Sequence, residues 1–243
     1  MLQEARRAEV PVSCTACAAR LQGICGVLST EQLASLARVS ARREASEGAR
    51  LLDDAQTAQS HANILSGVVK LTASLSDGRQ QIVGLQFAPD FLASPAGACM
   101  TLSVEAVTDV VLCTFPKSAV DGLRGASASL QKELHRQAAR ELDEARRWML
   151  TLGRRTAQEK LACFLLLIAA RAGSDTTGES GAGPRRGRFC LPMCRGDIAD
   201  FLGLTIETVS RQLTRLNADG VIVLRQRAVE IPDLGRLRAL AGG

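Results

Sequence analysis

Histidine is nearly missing from this sequence: 243 residues hold two, His61 and His135. Haem or zinc held through imidazole is therefore poorly supported, and Ser, His and Asp are not grouped as a catalytic triad would need. No flavin or nicotinamide fingerprint occurs, so no feature of the chain points to an enzyme. Long apolar runs are lacking too. The longest, residues 161–170, is far short of a bilayer span and reads as a buried helix. Behind Met1 and the early pair Arg6 and Arg7 there is no apolar signal core, so the expectation is a cytoplasmic protein with no membrane segment.

Against these absences stand eight cysteines. Without an export signal, thiols in a reducing compartment point to metal, a cluster or packing rather than to disulfides. Cys14 and Cys17 form a Cys-x-x-Cys pair, and Cys25 follows after seven residues. Such a pair puts two thiolates on one turn, within reach of a shared metal or cluster corner, and Arg6, Arg7 and Arg20 would help keep them deprotonated. The segment has too little apolar content to order itself. Three thiolates do not complete a four-ligand cluster, which leaves Cys99, Cys113, Cys163, Cys190 and Cys194 as candidates for the fourth. Cys163 reads as a buried small hydrophobe, Cys190 as a strand packing residue and Cys194 as the residue before a helix.

Length and 46% hydrophobic content suit two modest domains. The net charge of +5 lies wholly in the second half, where residues 154–243 hold 14 Lys and Arg against 9 Asp and Glu. That is the footprint expected of a phosphate-binding domain. The predicted organisation is α+β: an N-terminal cysteine segment (1–27), a β-roll or jelly-roll domain (28–122), a long helix (123–153) and a winged helix-turn-helix (154–243). Ser29 starts a helix with Leu33 and Leu36 inward, and closely spaced turn signals then separate strand-like runs. One turn, with Asp77, Gly78 and Arg79, projects an Asp-Gly tip. Along the long helix Leu130, Leu134, Ala138, Leu142, Ala145, Met149 and Leu152 recur at spacings of three and four. That narrow seam suits pairing with a second copy, the alternative being a helix lying on the β domain.

Residues 194–216 read as two short helices. Ile198, Ala199 and Leu202 line the first, Gly203 makes the bend, and Thr205 caps a second with Ile206, Val209, Leu213 and Leu216 inward. Glu207, Ser210, Arg211 and Thr214 are left facing out. Arg can bond guanine bidentately, Glu can accept from cytosine and Ser can contact several base edges, so this face suits a major groove. Beyond it, strands over 220–224 and 228–231 flank a tip with Arg225 and Arg227, placed to meet phosphates.

The run from Gly196 to Thr205, followed by Glu207, Thr208, Val209, Ser210 and Arg211, resembles the helix-turn-helix of the CRP/FNR family, and its Glu-x-x-Ser-Arg set resembles the FNR branch. The N-terminal cysteine pattern resembles the cluster-binding segment of FNR-type oxygen sensors. Its second gap is longer than the commonest in that branch and is like that of FNR-like proteins from nitrogen-fixing bacteria. Val111, Leu112, Cys113, Thr114, Phe115 and Pro116, taken as a strand end, resemble the place of the distant ligand, whereas Cys99 sits in a small-residue loop and is set aside. The resemblance implies a [4Fe-4S] cluster on Cys14, Cys17, Cys25 and Cys113. It also implies a homodimer paired through the long helix, an oxygen-labile grip on double-stranded DNA carrying a TTGAT-type inverted repeat, and a contact of the Asp77 hairpin with RNA polymerase. Residues 91–98 lack the Gly-Glu and Arg-Ser/Thr pairs with which CRP holds cyclic AMP, so no cyclic nucleotide is expected. Two other uses of the thiols remain: a zinc site or redox switch in the same kind of regulator, or an iron-sulfur electron carrier.

Overall fold

The computed structural model describes residues 10–51, 60–93, 102–172 and 187–242. Their contacts divide the chain into two units, residues 1–79 with 83–143 and residues 80–82 with 144–243.

The first unit opens with α1 (Val12–Thr15), α2 (Ala18–Gln22) and a 3-10 turn (Ile24–Val27), so the cysteine segment is more ordered than its composition promises. Ala19 and Ile24 are fully buried, and two apolar anchors suffice because a sheet lies ready to receive them. Ser29 then caps α3 (Thr30–Val39), its side chain and that of Gln32 each accepting the other's backbone N–H. Seven strands follow: β1 (Ala41–Ala45), β2 (Ser60–Ser66), β3 (Val68–Ser74), β4 (Gln80–Phe87), β5 (Phe91–Leu92), β6 (Leu102–Ala106) and β7 (Val110–Pro116). They form two sheets, ordered β1-β7-β2-β5 and β4-β3-β6.

The alternation along β2 shows how the unit is layered. Ala62 and Ile64 join Val69, Leu92, Val104 and Leu112 in the interior of the roll. On the other face, Phe91, Phe115 and Ile24 meet Leu36, Val120 of α4 (Lys117–Ala126) and Leu130 of α5 (Ala128–Arg154) in a second apolar cluster. Both faces of the sheet are therefore covered. Cys113 lies in the middle of β7 rather than at a strand end, and its half-buried side chain packs against this second cluster.

The expected seam of α5 divides in two. Leu130 is buried and Leu134 half-buried against the unit's own cluster, as a helix on a β domain would be, while Ala138, Leu142, Ala145 and Met149 are exposed. Leu152 is half-buried.

In the second unit α6 (Ala157–Ala172) supplies Leu161, Phe164, Leu165 and Ile168 to a core shared with α7 (Arg195–Leu202) and α8 (Ile206–Ala218). The core includes Phe201, whose ring meets Trp148 edge-on at 4.5 Å and lies 6.0 Å from Phe164. The wing has three strands: β8 (Gly187–Cys190), β10 (Ala228–Ile231) and β9 (Val223–Arg225), in that spatial order. A last helix, α9 (Leu234–Leu240), buries Leu237. Three expectations fail here. Cys190 is exposed, because β8 turns Phe189 inward instead; Cys163 is half-buried; and Ile206, at the first position of α8, is 52% exposed.

Gly67 makes the β2–β3 turn at φ +90°, where an added Cβ would lie 2.4 Å from the Asp109 carbonyl oxygen. Gly67→Ala should therefore cost about 2 kcal/mol or more, read as a lowered denaturant midpoint at unchanged slope.

Candidate functional site

The short N-terminal helices bring Cys14, Cys17 and Cys25 to the outer face of the first sheet, where Cys113 waits on β7. Cys25 and Cys113 share the second apolar cluster. Burial is the main influence on both and pushes both thiols up. Cys25 reaches about 12, with the charges of Cys113, Cys17 and Cys14 acting in the same direction. Cys113 is raised too, and again Cys17 and Cys14 add to the shift. The four sulfurs are thus near enough to feel one another's charge, although among the described residues no three His, Cys, Asp or Glu side chains form a single-ion site. Cys99, Arg6 and Arg7 lie outside the described residues.

Two polar side chains oppose the rise. Asn63 Nδ2 donates to Cys25 Sγ at 3.3 Å, and the nearby Ser40 hydroxyl, which itself donates to the Ala37 carbonyl, acts to lower Cys113. Asn63 is 1% exposed, faces Cys113 directly across the β2–β7 ladder, and leaves its Oδ1 buried without a partner. A buried orphan of that kind costs about 1–3 kcal/mol. The end of the cysteine segment is tied down as well, since Ser129 Oγ in the first turn of α5 donates to the Val27 carbonyl at 3.0 Å. Asn63, Ser40 and Ser129 carry no motif. Only the fold brings them to the thiols.

The donor set suits iron-sulfur ligation. Four soft thiols lie within range of one another's charge, so their ionised forms would repel, and a positively charged core would relieve that repulsion.

On the second unit Cys194 Sγ accepts the Asp197 N–H and caps α7. Gly203 turns the chain at φ 59°, ψ 46°, and Thr205 Oγ1 accepts the Thr208 N–H to start α8. With Val209, Leu213 and Leu216 buried, Glu207, Arg211 and Thr214 are exposed and Ser210 is half-buried. Not all of these side chains are available to a ligand. Thr205 is committed to the cap, and the Thr214 hydroxyl donates to the Ser210 carbonyl at 3.0 Å. Glu207's own N–H and the Thr205 hydroxyl hold its carboxyl below the usual range, so it stays ionised. Arg225 is exposed at the end of β9. Arg227 instead donates to the carbonyls of Leu191 (3.3 Å) and Pro192 (2.9 Å), securing the wing.

The Asp77 turn is locked internally. Its carboxylate accepts the Arg79 N–H at 3.0 Å and Arg79 Nε at 2.8 Å, and Gly78 sits at φ +87°. This pairing holds the Asp77 carboxyl below its ordinary value.

Residues 42–126 match the cyclic nucleotide-binding domain and residues 159–240 the Crp-like helix-turn-helix domain. A probable transcriptional activator from Rhizobium leguminosarum bv. viciae is 48% identical over 95% of this chain and 93% of its own length. The transcriptional activator protein FnrL from Cereibacter sphaeroides is 37% identical over 96% of this chain and 95% of its own. The chain belongs to the CRP/FNR family. The structure of FixK2 from Bradyrhizobium japonicum superposes with a TM-score of 0.71 at 30% identity, covering 83% of this chain and 97% of that one. As a family member the protein is a DNA-binding transcription regulator and not an enzyme. No described helix is long and apolar enough to cross a membrane.

Because the fold favours the neutral Cys25 thiol, this contribution to metal-free stability is intact below 9.0 and is lost as pH climbs towards about 12. At pH 9, where a free thiol is about half ionised, alkylation of Cys25 should run at least about tenfold slower in the folded metal-free protein than in denaturant. Mass mapping of the labelled cysteines measures this.

Proposed function

We propose that this regulator responds to oxygen: it holds a [4Fe-4S] cluster on Cys14, Cys17, Cys25 and Cys113, and while the cluster is intact it binds a TTGAT-type inverted repeat as a homodimer. The observation that carries the reading is that Cys25 and Cys113 pack in one apolar cluster on the outer face of the roll, with Cys14 and Cys17 near enough to add their charges to the effect of burial on both. A cluster supplies the sensitivity to dioxygen, and its iron makes four neighbouring thiolates compatible. The chain's own residues transmit its state. Cys25, Cys113, Leu130 and Leu134 pack in one apolar cluster, and Ser129 is bonded to Val27, so loosening the cysteine segment strips packing from the root of α5.

Farther along the same helix, Ala138, Leu142, Ala145 and Met149 present an exposed apolar stripe, 51% at Leu142 and 72% at Met149, for a second copy. On α8, Glu207 and Arg211 read bases, Ser210 and Thr214 border them, and Thr205 holds the helix start. Arg225 meets phosphate, and Arg227 keeps the wing in shape beside it. The exposed turn at Asp77, Gly78 and Arg79 is the surface for RNA polymerase.

Protein purified without oxygen should carry about four iron and four acid-labile sulfide per chain, and Cys113→Ser should lose most of both. Full retention in that variant would shift the fourth ligand to Cys99. Zinc without sulfide, or a reversible disulfide without metal, would instead establish the other uses of these thiols.

Arg211→Ala should cost about 1–3 kcal/mol per half-site on the TTGAT repeat and much less on scrambled DNA. Arg225→Ala should weaken binding to both alike and reduce the salt slope by about one phosphate contact. Isotherms at several salt concentrations measure these effects, and equal losses from Arg211→Ala on the two DNAs would remove α8 as the reading helix.

A further inference from the structure

We propose that Asn63 is a positioning residue for the sulfur centre: a buried donor to the Cys25 sulfur that sets how readily the bound cluster is oxidised. The inference rests on the cluster reading above. Asn63 is 1% exposed, and its Nδ2 lies 3.3 Å from Cys25 Sγ. In the sheet it pairs with Cys113 on one side and Phe91 on the other, so the side chain that bonds Cys25 also neighbours Cys113.

Packing does not account for an amide here. The strand pairing uses backbone groups alone, and the neighbours on this face are Phe91, Phe115 and Ile24, among which an aliphatic side chain of the same volume would fit. The amide instead leaves Oδ1 buried with no partner. Against a thiolate ligand, turning it over would set that oxygen and the sulfur face to face as two acceptors, so ligation favours the orientation with N–H towards sulfur. What the residue offers is one N–H aimed at one ligand atom.

The consequence for a thiolate ligand follows from electrostatics. An N–H donor stabilises negative charge on the sulfur and favours the more electron-rich state of whatever iron the sulfur binds. Removing the donor lowers the reduction potential and makes loss of an electron to dioxygen easier.

The test uses the full chain, purified and reconstituted without oxygen, as wild type, Asn63→Leu and Asn63→Thr. Leucine keeps the volume and removes the donor; threonine suits a strand and restores an O–H. The measurements are iron and sulfide content, midpoint potential, and the decay of the cluster's visible absorption after a fixed dose of dissolved oxygen. Asn63→Leu should fold and load, show a lower potential, and decay about tenfold faster than wild type, with Asn63→Thr falling between the two. A loaded Asn63→Leu protein with unchanged potential and decay overturns this inference and leaves the cluster reading intact. If leucine does not load, the threonine variant decides alone: a potential below and a decay faster than those of wild type support the donor role, whereas values equal to wild type overturn it, and failure to load assigns Asn63 to packing and overturns it too. Wild type without iron and sulfide overturns both readings.

Discussion

The packing that the rest of the first unit depends on is the apolar layer between the outer face of its sheet and the helices around it. Ile24, Leu36, Phe91, Phe115, Val120 and Leu130 come from six elements that are far apart in sequence. Burying a side chain of this size stabilises the fold by about 1.5–3 kcal/mol, and Ile24 brings the end of the N-terminal segment into this layer. Without it, α1 and α2, of four and five residues, are too short to form. The same layer seats Cys25 and Cys113, so the chemistry of the thiols and the stability of the segment that carries them are one physical problem.

That coupling has a sign. Burial makes the thiols resist ionisation, yet metal ligation requires them ionised, so ligands placed here work against the layer unless something else stabilises the charge. Asn63 does part of this, through its hydrogen bond to the Cys25 sulfur. In the proposed cluster-bound form the remaining stabilisation comes from the bound positive charge. Under that proposal, a segment held by a few apolar contacts and by such charge would let go when the charge is lost, as a sensor requires.

The second unit solves a different problem, that of presenting a rigid helix face. Val209, Leu213 and Leu216 anchor one side of α8, the Thr205 cap sets where the helix begins, and the left-handed turn at Gly203 sets its angle to α7. The side chains proposed to read bases then project from a well-packed scaffold, which lowers the entropy lost on meeting DNA. Arg227 belongs to this scaffold, since its guanidinium bonds two carbonyls of the preceding loop, whereas Arg225 is exposed beside it.

Local rules made the helix-turn-helix legible in the sequence. Apolar spacing, a glycine at the bend and a threonine cap act over a few residues, so Ile198, Leu202, Val209 and Leu213 could be placed from the sequence alone; Ile206 could not, because the first residue of a helix has no preceding turn to pack beneath. The cysteine spacing and the likeness of 111–116 to a known ligand site named a set of thiols in the same way. Tertiary structure decided whatever depends on partners distant in sequence: that α1 and α2 order at all, that Leu130 and Leu134 turn into the roll while Leu142 and Met149 stay exposed, and that β8 faces Cys190 outward. Asn63 marks that boundary most sharply. In the sequence it is one polar residue between Ala62 and Ile64, and only strand pairing and the fold of the N-terminal segment, contacts spanning 38 residues to Cys25, make it a neighbour of two thiols.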